Sequence, residues 1–139
     1  MKILILCTGN SCRSQMAKGI LRNIKPSWRV ESAGTNPAQF THPKAVLVMQ
    51  EMGIDISSST PRHANQFAKE NWNYVITVCG DAEENCPVFT GQVKQKIHIG
   101  FFDPAKAEGS EKEILNVFRT VRDEIKLKFE KFAENPESF

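Results

Sequence analysis

The N-terminal segment constrains the possible folds more than any other part of the sequence. Lys2–Leu6 consists mainly of apolar and β-branched residues, a composition typical of a strand buried on both faces of a parallel sheet. Ser14–Ile24 follows after a short polar loop, and its apolar residues recur at the spacing of one helix face. The apolar run is too short for an export signal, so we interpret it as the first strand of an α/β domain.

Strand-like and helix-like segments alternate along the rest of the chain. Further strands are predicted over Arg29–Ser32, Tyr74–Val78 and Lys96–Ile99, and further helices over Lys44–Met52, Pro61–Lys69 and Glu111–Ala133. This alternation predicts a parallel sheet covered by helices on both faces, a three-layer α/β sandwich. Because the 139 residues contain no linker or repeat, we expect a single domain over 1–139.

Charge and hydropathy limit the possible partners. The formal net charge is +2, and basic residues are interspersed with acidic ones, which argues against nucleic acid and leaves a solvated surface or mild steering of an anionic substrate. We expect no membrane partner, because no apolar run reaches the roughly 18 residues of a spanning helix. We expect a cytoplasmic monomer, and in that reducing compartment cysteines are more often catalytic or metal-binding than disulfide-bonded.

The most informative motif is Cys7-Thr-Gly-Asn-Ser-Cys-Arg13-Ser14, which joins the first strand to the first helix. A loop in this position can curl its backbone N–H groups around an anion, and Gly9 and Asn10 tolerate the positive φ values of such a curl. Five intervening residues let the Arg13 guanidinium return over the loop and clamp two oxygens of a tetrahedral anion. The positive surroundings should favour the thiolate of Cys7, which would attack the central atom of the anion.

The same residues allow a simpler interpretation, in which Cys7 is a buried strand-end residue and Arg13 a surface charge. The strand before the motif and the helix after it favour the anion loop. The side chain of Ser14 would then cap the helix, donate to the Cys7 thiolate, or do both, and Cys12 would line the loop without acting as a nucleophile. The expected anion-binding residues are Thr8, Gly9, Asn10, Ser11, Cys12, Arg13 and Ser14.

Two further cysteines follow a later strand. Cys79 comes directly after Tyr74–Val78, and Cys86 lies beyond Gly80–Asn85, a segment that could form a short helix with little apolar anchorage. Since ligands bind beyond the carboxyl ends of parallel strands, Cys7 and Cys79 could share one crevice. The residues alone leave open a zinc site, unrelated core thiols or disulfide exchange, although neither pair has the tight spacing of a zinc knuckle.

Asp103 precedes Pro104 in a predicted loop. A carboxyl group there could protonate a departing oxygen as a general acid. Aspartate before proline is also a common turn pattern, so spacing alone does not decide between the two roles.

These motifs resemble those of thioredoxin-coupled arsenate reductases, which share the fold of low-molecular-weight protein tyrosine phosphatases. The reductases carry Cys-Thr-Gly-Asn-Ser-Cys-Arg-Ser-Gln-Met-Ala, and residues 7–17 match it throughout. The resemblance implies a central four-stranded parallel sheet flanked by helices, and it favours the acid role of Asp103. It extends over nearly the whole chain, at Ser32-Ala-Gly34, Gly53-Ile-Asp-Ile-Ser57, Val78-Cys-Gly-Asp81, Asn85-Cys-Pro87, Asp103-Pro-Ala105 and Val121-Arg-Asp-Glu-Ile125.

The resemblance also implies a chemistry that uses three thiols in arsenic resistance. Cys7 would form an adduct with arsenate, and attack by Cys79 on the Cys7 sulfur would expel arsenite and leave a Cys7–Cys79 disulfide. Cys86 would then attack Cys79, which requires the intervening segment to unwind because disulfide geometry needs α-carbons within roughly 7 Å. Thioredoxin, the external reductant in the family, would reduce the exposed Cys79–Cys86 disulfide.

Several positions depart from the family pattern, and two of them bear on a possible ion site. Lys18 stands where many members carry glutamate, and Arg62 where some carry aspartate. In some members those acidic residues help to bind a potassium ion together with the equivalents of Asn10 and Ser32. We therefore expect no potassium site and no other bound cofactor, and we expect Lys18 or Arg62 to substitute partly for the charge of the ion.

Two other functions remain compatible with the sequence. A phosphomonoesterase of the tyrosine phosphatase type would need only Cys7, Arg13 and Asp103, whereas the pair Cys79 and Cys86 favours the reductase. Phe101 and Phe102 would offer a wall for a phenyl ring and allow weak phosphatase activity. A non-catalytic anion-binding or redox-sensing module would use the same loop without turnover.

Overall fold

A computed structural model describes residues 1–139. Its single sheet has four parallel strands in the order β2-β1-β3-β4, formed by β1 (Lys2–Cys7), β2 (Arg29–Gly34), β3 (Trp72–Thr77) and β4 (Val93–His98). Cys7 pairs with Gly34, and its neighbour Leu6 pairs with Thr77, so the carboxyl ends of three strands lie side by side. The predicted four-stranded parallel α/β fold is confirmed.

Four helices connect and cover the strands: α1 (Arg13–Ile24), α2 (Pro43–Gln50), α3 (Gly80–Glu84) and α4 (Glu111–Glu134). α1 packs against β1, β2 and α4, and α2 also contacts α4. The short α3 lies against β1 and β3. None of the helices combines the length and apolar composition that crossing a membrane requires.

The core encloses β1 and thereby fixes the position of its carboxyl end. Ile3, Leu4, Ile5 and Leu6 are all fully buried, and because consecutive strand residues point to opposite faces, both faces of the sheet are covered. Phe132 of α4 adds an edge-on aromatic contact with Tyr74 of β3, with ring centroids 5.1 Å apart. The strand that ends in Cys7 is therefore enclosed on both faces.

The predicted helix over Pro61–Lys69 was wrong. The structure has only one 3₁₀ turn there, Ala64–Phe67. His63 has an extended backbone, and its ring accepts a hydrogen bond from the Asn65 N–H at 3.0 Å, a cap that starts the turn late. Only Ala64 and Phe67 of the turn are buried, so too little apolar surface is available to extend it.

Candidate active site

A cleft of about 760 Å³ opens at the carboxyl ends of β1 and β3. The Cys7–Arg13 loop forms its floor, the start of α3 one wall and the 3₁₀ turn Pro104–Lys106 with its flanking residues another. Segments far apart in the sequence therefore meet here, including all the predicted site residues except Ser14 and Cys86. The lining residues are Cys7 to Arg13, Asn36, Cys79, Gly80, Asp81, Phe102, Asp103, Ala105 and Lys106.

A buried hydrogen-bond network around Asn10 holds the Cys7–Arg13 loop in shape. Asn10 has a φ of 52°, as predicted, whereas Gly9 does not have a positive φ. The Asn10 amide donates to the hydroxyls of Ser14 at 2.7 Å and Ser32 at 3.0 Å, and its carbonyl oxygen accepts from the Arg62 backbone N–H at 3.0 Å. The side chain of Asn10 therefore faces the support of the loop, and only its backbone can serve an anion.

Gly34 lets β2 approach the loop closely. A Cβ atom at this position would lie 2.4 Å from the Thr8 carbonyl oxygen, a distance that the backbone could not accept without moving. The Gly34 N–H also donates to the Arg62 carbonyl at 2.8 Å. The end of β2 thus fixes the loop and the segment at Arg62 together.

Ser14 does not have the position that the sequence predicts. The residue that caps α1 is Cys12, and its side chain makes no capping hydrogen bond. The Ser14 hydroxyl is fully buried, accepts from Asn10 and makes no hydrogen bond to Cys7. Ser14 therefore supports the loop through its hydrogen bond with Asn10. Cys12 lines the cleft, and burial raises the pKa of its thiol to about 11.

Arg13 lines the cleft and is held by two contacts with its wall. Its Nη1 donates to the Phe101 carbonyl at 3.1 Å, and its Nη2 lies 3.5 Å from Asp103 Oδ2. Its Nε is buried and has no hydrogen-bond partner within the protein. Buried donors are nearly always satisfied, so this nitrogen indicates a place for an acceptor oxygen beside the loop.

Cys7 and Cys79 are both buried in the same cleft, and each affects the ionisation of the other. Cys79 caps α3, and its sulfur accepts from the Ala82 N–H at 3.4 Å and lies 3.3 Å from the Thr8 hydroxyl. The neighbouring Cys7 thiol, with the contacts from Thr8 and Ala82 and the charge of Arg13, lowers the pKa of Cys79 to about 5. The neighbouring Cys79 thiol, together with burial, raises the pKa of Cys7. The charge of Arg13 favours the thiolate form of both residues, and the Cys7 thiolate stays a prediction.

Asp81 links the loop to both ends of α3, a contact that the sequence did not reveal. Its Oδ2 accepts from the Thr8 hydroxyl at 3.0 Å, and its Oδ1 accepts from the Asn85 side chain at 2.9 Å. The short helix expected between the two cysteines is confirmed as α3. Asp81 therefore fastens this helix to the floor of the cleft.

Cys86 lies apart from the other two thiols. It is half-buried in a separate cavity of about 170 Å³, which Glu83, Lys96 and His98 also line. Burial raises the pKa of its thiol. The structure thus brings Cys7 and Cys79 together and keeps Cys86 outside, and no group of His, Cys, Asp or Glu side chains is arranged to hold a metal ion.

Asp103 caps a turn and also faces the anion loop. Its Oδ1 accepts from the Ala105 N–H at 3.0 Å and caps the 3₁₀ turn. Its Oδ2 faces Arg13 inside the cleft. The turn thus holds the carboxyl group in place, and one of its oxygens remains directed at the anion loop.

The site has a cysteine and an arginine at the two ends of one loop, above a four-stranded parallel sheet. This arrangement defines a phosphatase-like class of protein. The family model for low molecular weight phosphotyrosine protein phosphatase matches residues 2–137. The chain therefore belongs to this family.

Its relatives identify the group within the family. The chain is 48% identical over 136 residues to an arsenate reductase of Shouchella clausii, covering 97% of this chain and 96% of that protein. An arsenate reductase of Bacillus licheniformis has the same identity and coverage. A solved structure of an arsenate reductase in the phosphate binding state is 32% identical, with a TM-score of 0.75 over 94% of this chain and 95% of the other. The group is that of the arsenate reductases.

Proposed function

We propose that the chain reduces arsenate to arsenite with Cys7, Cys79 and Cys86 acting in sequence. The observation that carries this proposal is the pair of buried thiols, Cys7 and Cys79, that line one cleft. A hydrolase needs only the first of these thiols. A third thiol at the far end of α3 supplies the exchange partner, and a relative in a phosphate-binding state supports a tetrahedral oxyanion as ligand.

The first step forms the adduct. Arsenate enters the cleft, where backbone N–H groups of residues 8–14 and the Arg13 guanidinium hold its oxygens. The Cys7 sulfur bonds to arsenic, and the Cys7 proton passes to the neighbouring Cys79. One arsenic–oxygen bond breaks, and Asp103 protonates the departing oxygen as general acid. Its oxygen opposite Arg13 is placed for this transfer.

The second step transfers the electrons. Cys79 returns its proton to solvent, since its hydrogen bonds and the Arg13 charge favour the thiolate, and attacks the Cys7 sulfur. The sulfur–sulfur bond forms while the sulfur–arsenic bond breaks, and the electron pair of that bond stays on arsenic. Arsenic is reduced by two electrons and leaves as arsenite, and the two thiols are oxidised to a disulfide.

The third step moves the disulfide outward. Cys86 attacks the Cys79 sulfur and frees Cys7 as a thiolate, but it must first leave its own cavity. α3 opposes this motion weakly, because Ala82 is its only buried residue and local opening costs least where apolar contacts are few. The Cys79–Cys86 disulfide is then exposed to an external dithiol, for which we propose thioredoxin.

A coupled assay tests the reductase against its alternatives. Purified protein receives arsenate, thioredoxin, thioredoxin reductase and NADPH, and p-nitrophenyl phosphate is tested in parallel. We expect arsenate-dependent loss of NADPH equimolar with arsenite, and no such loss with Cys79→Ser. Hydrolysis of p-nitrophenyl phosphate without NADPH loss would instead establish a phosphatase, and oxidation of the thiols without turnover would establish a redox sensor.

A weak phosphomonoesterase activity is the second candidate. Phe102 lines the cleft and is 57% exposed, so it can face the ring of an aryl phosphate. Phe101 does not contribute, because it stacks on Phe129 with ring centroids 6.3 Å apart. Hydrolysis needs Cys7, Arg13 and Asp103, and we therefore expect it to survive Cys86→Ser.

We also propose that the protein is a monomer of the reducing cytoplasm that confers arsenic resistance without nucleic-acid or membrane partners. The interspersed charges support the absence of a nucleic-acid partner. Three free cysteines of the cleft, Cys7, Cys12 and Cys79, support a reducing compartment, because the cycle must start from thiols.

The arsenate reductase rate is expected not to depend on potassium. Lys18 is only 8% exposed, and the neighbouring Arg62 contributes to lowering its pKa, so two cations stand where a potassium ion would need anionic ligands. The Asn10 carbonyl oxygen is already occupied by Arg62 and Gln15. Steady-state rates in KCl and NaCl at equal ionic strength check this, and a several-fold rise in potassium alone would refute it.

A further inference from the structure

The small cavity outside the cleft, of about 170 Å³, contains the third thiol of the proposed cycle. Cys86 lines it together with Glu83 of α3 and with Lys96 and His98 of β4. The other lining residues are Val75, Thr77 and Ile97. A lysine therefore shares a cavity with a thiol that has to act as a nucleophile.

The charge of Lys96 is not neutralised within this cavity. The carboxylate of Glu83 faces His98 instead, with its Oε2 3.8 Å from His98 Nδ1, and Lys96 makes no ion pair. Burial raises the pKa of the Cys86 thiol, and the charge of Lys96 opposes that rise. The Lys96 ammonium group thus favours the ionised form of Cys86.

Lys96 also contacts the chain that follows Cys86. Its Nζ lies 5.5 Å from the centroid of the Phe89 ring, a cation–π contact, and only two residues separate Phe89 from Cys86. On the other side of Cys86, α3 has a single buried residue, so we expect opening to begin there. Cys86 therefore stays on a short tether near Lys96 while α3 opens.

We propose that Lys96 is a positioning residue of the disulfide relay, whose ammonium group stabilises the thiolate of Cys86 for its attack on Cys79. This inference rests on the proposed function, because it assigns a role in the third step. Cys86 gives its proton to solvent, and the thiolate forms a bond to the Cys79 sulfur. The bond between Cys7 and Cys79 breaks, and its electron pair leaves on the Cys7 sulfur. Since the thiolate is the nucleophile, a cation beside Cys86 speeds this exchange at neutral pH.

Alkylation of Cys86 tests the effect of Lys96 without arsenate. The reduced protein receives brief pulses of iodoacetamide, and mass spectrometry of the Cys86 peptide measures the rate at this residue alone. We expect Lys96→Met to lower the rate at pH 7 about two- to fivefold, because loss of the cation raises the pKa of Cys86. The difference should shrink as the pH approaches 10, where the thiolate predominates in both proteins. Lys96→Arg keeps the charge and should keep the wild-type rate.

Lys94→Met is the matched control, because Lys94 lies on the same strand and does not line the cavity. It should leave the pH profile of alkylation unchanged. Glu83 and His98, the other groups of the cavity that carry or can carry charge, are the same in all these proteins. Equal rates for Lys96→Met and wild type at pH 7 would overturn the inference. A loss of rate that is the same at every pH from 7 to 10 would also overturn it, because that result indicates altered access to Cys86 and not altered ionisation.

Disulfide exchange after a single turnover connects Lys96 with the relay. The proteins receive arsenate without thioredoxin, and the Cys7–Cys79 and Cys79–Cys86 disulfides are quantified over time at pH 7. We expect Lys96→Met to accumulate the first disulfide and to convert it to the second several-fold more slowly than wild type. Absence of both disulfides in the wild-type protein would refute the proposed function, and the role of Lys96 in the relay with it. Normal exchange in Lys96→Met would overturn the role of Lys96 alone.

Discussion

Replacing Cys86 with serine is expected to stop the protein after one turnover, with Cys7 and Cys79 joined by a disulfide. The first two steps need only the thiols of the cleft, so one equivalent of arsenite should still form. Without Cys86 nothing inside the protein reopens the bond, which both partners keep buried from an external dithiol. Steady-state turnover should fall to about a thousandth or less, the scale seen when a reacting group is removed.

Mass spectrometry after addition of arsenate alone checks this result. The Cys86→Ser protein should lose two hydrogens, and digestion should link the peptides of Cys7 and Cys79. Cys79→Ser is the matched control, because it forms the adduct but no disulfide and releases no arsenite. Unmodified thiols in Cys86→Ser after incubation with arsenate would contradict the relay.

Replacing Arg13 with lysine is expected to lower kcat/KM for arsenate by about 10²–10³, although the charge is kept. Lysine cannot reproduce the planar fork that reaches Phe101, Asp103 and the cleft at once. Arg13→Ala should lose more, because Asp103 also loses its cationic neighbour. The loss reflects both weaker anion binding and a misplaced acid.

Kinetics on arsenate and the affinity for phosphate, a non-reducible oxyanion, separate these two contributions. Arg119→Lys is a suitable control, since Arg119 lies on α4 and pairs with Glu51 outside the cleft. It should leave kcat/KM unchanged. An Arg13→Lys protein with nearly normal kcat/KM would remove the clamp from the mechanism.

The sequence predicted the fold well where burial is two-sided. Lys2–Leu6 is apolar in every position but one, and its context allows only an inner strand. The prediction of a helix failed at Pro61–Lys69, because the hydrogen bond from the Asn65 N–H to the His63 ring starts a shorter turn there. β2 extends two residues beyond its prediction to Gly34, because pairing with β1 continues to Cys7, a tertiary effect that local composition does not encode.

The site was predictable to the extent that motifs and strand ends determine it. One cleft contains Cys7, Arg13, Cys79 and Asp103. The strand ends had predicted that Cys7 and Cys79 would share it. The surroundings of Cys79 were not predictable, because its contacts with Thr8 and Ala82 exist only after folding. Contacts of this kind join residues more than 70 positions apart for Thr8 and Cys79, and no spacing rule reveals them.

The position of Thr8 has a consequence for the timing of the reaction. A hydroxyl carries a single proton, and that of Thr8 lies within reach of both Asp81 at 3.0 Å and Cys79 at 3.3 Å. While α3 stays closed, the Asp81 carboxylate and the Cys79 sulfur compete for the Thr8 proton. Once α3 swings away with Asp81, the hydroxyl is left to the sulfur of Cys79 alone. A hydrogen bond to that sulfur withdraws electron density from it, so the motion that admits Cys86 also makes Cys79 a better target for the Cys86 thiolate. The proton of Thr8 thus links the opening of α3 to the reactivity of Cys79.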